Sequence, residues 1–163
     1  MNRLRPFFIK NFDMKALHLS ATMLATAVPP ATSNLSTVQL LFEKFGQGDV
    51  PGIIDLCSDD CEWHHGGDAS LIPFATPFYG KQGVGEFFQS VVQSIAVSNI
   101  LPSGFRENGL VVSHDFHVEA TVLATGKFYA ADVLYEWTFD DNGKICKHRS
   151  TGDFSAAEAA FKG

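Results

Sequence analysis

The feature that most constrains this chain is a change of hydrophobic period near residue 100. Upstream, apolar residues recur at helical spacing. Downstream they alternate, as side chains do on the two faces of a strand. Val38, Leu41, Phe42 and Phe45 follow the i, i+3, i+4, i+7 pattern, with Ser36 or Asn34 as cap, and Gly46-Gln47-Gly48 stops that helix. Asp49 caps a short second helix with Pro51 in its first turn and Ile53, Ile54 and Cys57 inward. After Gly80-Lys81-Gln82-Gly83 a third helix carries the stripe Val84, Phe87, Phe88, Val91, Val92 and Ile95. Cys61 to His65 reads as a short strand between the second and third helices. It is followed by a Gly/Pro-broken loop, 66–79, whose Leu71, Phe74, Phe78 and Tyr79 are too apolar for a purely solvated connector.

Beyond Ile100, His117–Val122 and Asp132–Phe139 alternate with period two. Thr125-Gly126 and Asp140–Lys144 mark hairpin turns, and Ile145–Arg149 makes the last strand. The order predicts an α+β domain: about three N-terminal helices packed on one face of an antiparallel sheet.

The 163 residues suit one domain with a full core. Their net charge of −6 hides an asymmetry. Residues 1–28 hold Arg3, Arg5, Lys10 and Lys15 against Asp13 alone, net +3, so the remainder holds −9. An acidic domain without a basic patch excludes nucleic acid and anionic membrane as expected partners. Residues 14–27 combine a Lys, a modestly apolar run and an Ala25-Thr26-Ala27 cleavage-like site. Residues 1–33 therefore read either as a secretory leader or as an unstructured extension, with the domain at 34–163, and cytoplasm and export both stay open. The apolar run is too short and polar to span a bilayer. Cys57, Cys61 and Cys146 are odd in number and sit among apolar residues, so no structural disulfide is expected.

Three motifs occur in order: Phe45-Gly46-Gln47-Gly48-Asp49-Val50 leading to Cys57-Ser58-Asp59-Asp60-Cys61-Glu62-Trp63, then Phe78-Tyr79-Gly80-Lys81-Gln82-Gly83-Val84 before a helix, then Phe139-Asp140-Asp141-Asn142-Gly143-Lys144-Ile145. Together, over about residues 36–155, the chain resembles the SnoaL-like group of the nuclear transport factor two-like superfamily, which includes ketosteroid isomerases, polyketide cyclases, limonene epoxide hydrolase and scytalone dehydratase. The resemblance implies a cone-shaped, strongly curved sheet around an apolar pocket, no cofactor, and homodimers formed through the outer sheet face. One such pocket hosts many chemistries, so it specifies fold far better than function.

Strand parity indicates which side chains face that pocket. Cys61, Trp63 and His65 share a face, opposite Glu62 and His64. Val118, Ala120 and Val122 point inward, as do Val133, Tyr135 and Trp137. Glu119, Asp132 and Glu136 point out. The last strand is ambiguous by pattern. Alignment with ketosteroid isomerase places His65 at the general-base position, Tyr135 at the carboxylic-acid donor and Leu41 at the helix-borne tyrosine donor, and it turns His148 and Ser150 inward. None of the three identities is retained. The resemblance thus implies His65, Tyr135 and His148 as catalytic polar groups in a pocket lined by Trp63, Val118, Ala120, Val133, Trp137, Phe74 and Phe88. The competing reading makes them hydrogen-bonded core residues of a ligand-binding or dimerisation module.

The expected ligand is a small apolar molecule with a carbonyl or hydroxyl handle. If turnover occurs, it is cofactor-independent acid–base chemistry: isomerisation, cyclisation or dehydration. Arg149-x-x-x-Asp153 matches one end of the epoxide hydrolase pattern, but the middle strand lacks its Arg-x-Asp partner, which argues against epoxide hydrolysis and makes Asp153 a turn or cap residue. No metal is expected: His64 and His65 diverge on a strand, His114 and His117 likewise, and Cys57-x-x-x-Cys61 has no second pair.

Overall fold

A computed structural model describes residues 33–163, and the expectations for residues 1–32 lie outside the described residues. Helix α1 spans Asn34–Gly46. Its cap is Ser33, one residue before the expected pair, and Ser33 Oγ accepts from the Ser36 N–H at 3.1 Å. Asp49 caps α2 (Val50–Asp55) through the Gly52 N–H at 2.9 Å, a bond that draws the Asp49 pKa below its ordinary value. The chain is already extended at Cys57, the first residue of β1 (Cys57–His64), so Cys57 belongs to the sheet and not to α2. The i, i+4 spacing of Ile53 and Cys57 imitates a helix, but with α2 ending at Asp55 both side chains reach the core from different elements.

Loop 65–77 leads to β2 (Phe78–Tyr79), which pairs with β1, and to α3 (Gly80–Ser94). Val84, Phe87, Phe88 and Val91 form the buried stripe of α3. Two expected members leave it: Val92 is 39% exposed at the stripe's rim, and Ile95 has turned extended to begin β3 (Ile95–Asn108). The long strands β4 (Val111–Val122) and β5 (Phe128–Phe139) and the last strand β6 (Ile145–Gly152) follow. A C-terminal helix α4, Ser155–Lys162, completes the chain and was not anticipated. The exposed Asp153 accepts from the Ser155 N–H at 2.9 Å and so turns the chain into it.

The sheet order is β2-β1-β6-β5-β4-β3. From β3 to β6 every pairing is antiparallel, but β1 and β6 run parallel, so the sheet is mixed. The reason is topological. Three successive hairpin steps after α3 leave β6 pointing the same way as β1, and the stretch from β2 to β5 acts as the long crossover that a parallel pair requires. Register shifts between Val97 and Asn99 and between Ser103 and Arg106 interrupt the β3–β4 ladder, one beside Gly104 at φ +62°. Such bulges bend a strand, and here they curl the sheet around the helices. The core lies inside that curl and includes Trp63, Trp137, Phe139, Ile53 and Val38, all at most 2% exposed. Ile72 and Phe74 of loop 66–79 are buried in it, so the loop does fold over the interior. All three cysteines are free thiols, and no helix among the described residues is long and apolar enough to cross a membrane.

Candidate functional site

His65 follows the last residue of β1 on the same face as Cys61 and Trp63. Its Nδ1 lies 2.7 Å from the Gly66 carbonyl oxygen. A carbonyl only accepts, so Nδ1 carries the proton and Nε2 keeps its lone pair. Phe74 (5.0 Å between ring centroids), Phe154 (5.2 Å) and Phe87 (6.2 Å) surround the ring. Burial among them lowers its pKa to about 4, against the opposing pull of the Gly66 carbonyl. His65 is therefore a neutral hydrogen-bond acceptor at pH 7, with the proton on the nitrogen that faces the backbone.

His148 sits on β6 beside Trp63 of β1 in the parallel register, with ring centroids 5.0 Å apart. Trp137 stacks on it at 4.0 Å and 26°, and Tyr135 meets it edge-on at 4.7 Å. Its Nδ1 is buried with no hydrogen-bond partner. Burial first, and the nearby His65 and His114 second, hold its pKa well below the ordinary histidine value. Tyr135 stacks on Phe116 at 4.1 Å and 19°. Burial raises its phenol pKa, as it raises that of Tyr129 to about 12, so both hydroxyls stay neutral donors.

Between these groups lies a cavity of about 80 Å³. His65, Tyr135 and His148 all face it, together with the expected Trp63, Val118, Trp137, Phe74 and Phe88. Two expected lining residues do not. Val133 instead borders a smaller void of about 20 Å³ that shares His65, Tyr129 and Tyr135 with the first. Ala120 is fully buried on the inner face between Val97 and Tyr129, and its single methyl is too short to reach either space. Tyr129 is the hydroxyl-bearing lining residue that sequence reasoning missed, although it shares the parity of Val133, Tyr135 and Trp137 and could have been found by it; Phe42, Phe87 and Phe116 are further lining residues it did not name. Leu41, at the position of the isomerase's helix donor, also lines the cavity and offers it only carbon. No ionised side chain borders the space.

With this geometry in place, comparison with known proteins is informative. Residues 38–148 match the SnoaL-like domain family. The chain belongs to that family. No curated protein matches it. Solved structures superpose well at low identity. A nuclear transport factor two-like protein of unknown function from Burkholderia pseudomallei gives a TM-score of 0.71 at 21% identity, covering 80% of this chain and 98% of that one. TerC, crystallised with polyporic acid, gives 0.68 at 23%, covering 80% and 98%. A Mycobacterium tuberculosis protein in complex with estradiol-17β-hemisuccinate gives 0.63 at 16%, covering 76% and 95%. At such identities these likenesses establish the α+β nuclear transport factor two-like fold of this SnoaL-like domain.

Within the SnoaL-like domain Arg149 is exposed, on the opposite face from His148 and away from the cavity. His64 also points outward, where its Nε2 meets Glu62 at 3.1 Å. Among the described residues no three His, Cys, Asp or Glu side chains converge as a metal site.

Proposed function

We propose that the cavity binds a small, uncharged, largely apolar molecule bearing a carbonyl or hydroxyl group, and that proton transfer to or from that molecule is the chemistry the site can perform. The observation that carries this reading is an aromatic cavity bordered by His65, Tyr135 and His148, all neutral, beside which the buried His148 Nδ1 has no hydrogen-bond partner. A buried polar atom without a partner costs free energy that a ligand hydrogen bond would recover. His65 offers a lone pair as base, while Tyr135, assisted by Tyr129, offers a phenolic hydrogen to a developing oxyanion; a base paired with neutral donors is the arrangement that enolisation needs.

The volume of about 80 Å³ is below the roughly 150 Å³ that admits a benzene ring. A ring-sized ligand therefore requires the phenylalanine walls to rotate. The neighbours crystallised with polyporic acid and with a steroid derivative, and a computationally designed binder of 17-OHP, support a ring-sized occupant. A second reading, binding without turnover, draws on the depressed pKa of His65, which weakens it as a base.

A thermal-shift screen of wild-type protein against neutral steroids, terpenoids and aromatic ketones is expected to raise the melting temperature with at least one class. Tyr135→Phe should weaken that ligand about tenfold, the value of one hydrogen bond. Incubating the bound ketone in heavy water then separates the readings: deuterium entering beside the carbonyl in wild type but not in His65→Ala supports proton transfer, and no incorporation supports binding alone. No stabilisation by any class overturns the proposal.

For the outer sheet face we propose a second copy of the chain as partner. Leu101, 44% exposed, and Leu134 line an open cleft there. The charges around it are paired within the chain: His117 lies 2.7 Å from Asp132 and 3.2 Å from Glu119, and Arg106 lies 3.7 Å from Asp115. Arg106 and His117 thus screen much of the like charge that three carboxylates would bring together between two copies. Sedimentation velocity is expected to show a dimer that Leu101→Arg dissociates; a monomer at every concentration overturns it.

A further inference from the structure

His114 takes no part in the reading above. It points inward from β4, is 0% exposed, and does not border the cavity. Both its nitrogens are committed. Nδ1 lies 2.9 Å from the Asp115 carbonyl oxygen, and Nε2 lies 3.0 Å from the indole Nε1 of Trp137. A carbonyl can only accept and an indole N–H can only donate, so the two contacts require the same species: a neutral ring protonated at Nδ1. Phe105 lies over the ring at 4.7 Å and Phe42 meets it edge-on at 5.3 Å, so it cannot turn away. The indole it holds is the one stacked on His148. A line of contacts thus crosses three strands, from His114 on β4 through Trp137 on β5 to His148 on β6, and ends at the nitrogen without a partner.

We propose that His114 is a positioning residue: by accepting the Trp137 indole N–H it fixes the plane against which His148 is stacked, and so holds the His148 ring in place beside the cavity. The inference rests on the reading of His148 as a ligand-facing group, but its test observes His148 directly and needs no ligand. A His114 that acts on His148 only through its charge would raise the midpoint alike in His114→Phe and His114→Gln and leave a single tautomer. The titratable groups around His148 are His65 and His64 at the end of β1, His114 on β4 and Tyr135 on β5, and the Glu136 backbone opposes the depression of its pKa.

The experiment is a pH titration of ¹⁵N-histidine-labelled protein, with the tautomer and titration midpoint of His148 read by long-range proton–nitrogen correlation. Wild type should show one His148 tautomer that stays neutral well below pH 6. His114→Phe keeps a ring but strands the indole N–H. It should mix the tautomers and raise the His148 midpoint by at least one pH unit. His114→Gln, whose amide oxygen can accept the indole proton, should keep the single tautomer and give a midpoint below that of His114→Phe. Trp137→Phe removes the donor, so adding His114→Phe to it should change the tautomer mixture of His148 no further. An unchanged His148 tautomer in His114→Phe overturns the proposal, and so does an additive change of tautomer mixture in the double variant. If His114→Phe alone fails to fold, the double variant strands no indole N–H and carries the test. A failed ligand search leaves each of these outcomes readable.

Discussion

Acidification from pH 7 to pH 4 is expected to destabilise the domain by several kcal/mol, with most of the loss above the range in which carboxylates titrate. His65 and His114 are depressed to about 4 by burial and His148 lies well below its ordinary value, whereas in the unfolded chain each titrates near 6.5. Between those limits the unfolded chain binds protons that the folded chain refuses, so stability is fully present above pH 6.5 and falls as the pH drops toward 4. For the fully buried His114 the shift corresponds to roughly 3 kcal/mol. Its protonation would also set two donors against each other at Trp137. The outer-face His117 works in the opposite sense, because hydrogen bonds to Asp132 and Glu119 raise its pKa. Its contribution is largest at low pH and disappears as the pH rises. Being partly solvated, it offsets little. Urea denaturation followed by circular dichroism at steps from pH 7.5 to 4 measures the slope. A flat profile down to pH 4.5 would show that the interior histidines already accept protons in the folded state.

Trp137→Ala is expected to be the most damaging single truncation of the interior. Trp137 is 1% exposed and contacts Phe42, Trp63, Tyr135, His114 and His148. Removing a buried aromatic of this size costs roughly 3–5 kcal/mol. For a domain of this length that corresponds to a melting temperature lower by roughly 10 °C or more. The substitution also strands the His114 Nε2 and uncovers one face of His148. Trp137→Phe should lose distinctly less, since most of the ring remains. Thermal unfolding of the two variants provides the measurement. Equal losses would mean that the missing indole hydrogen bond, rather than packing, dominates.

Much of the site was legible because a strand has a period of two. Trp63 on β1 and His65 just after it, Val118 on β4, and Tyr135 and Trp137 on β5 follow parity alone, and all border the cavity. The elements that escaped did so for physical reasons. On β6 the residues Cys146 to Thr151 alternate between polar types, so no hydrophobic face declares itself, and only the family likeness turned His148 inward. In α4 the buried residues Ala157 and Ala160 make too slight a stripe to announce a helix. Cys57 and Ile95 continue helical spacing into strands, because the core receives side chains from consecutive elements at nearly the same place. By spacing alone His114 pairs with His117 as a metal-ligand candidate and suggests nothing else. Its bond to Trp137 joins residues 23 apart, a pairing that the strand register creates and no local pattern contains.

The parallel union of β1 with β6 has a consequence for how this protein comes into being. Trp63 and His148 become neighbours only when a loop of some eighty-five residues closes, and the β1–β6 pairing to which they belong is the most entropically demanding in the sheet. The antiparallel run from β3 to β5 can assemble from near neighbours while β6 is still being synthesised. A ribosome-bound or prematurely ended chain that stops short of β6 therefore lacks His148 and the strand that brings it to Trp63. The polar groups of the cavity can meet only once β6 exists, so a formed cavity certifies that the chain was made through β6.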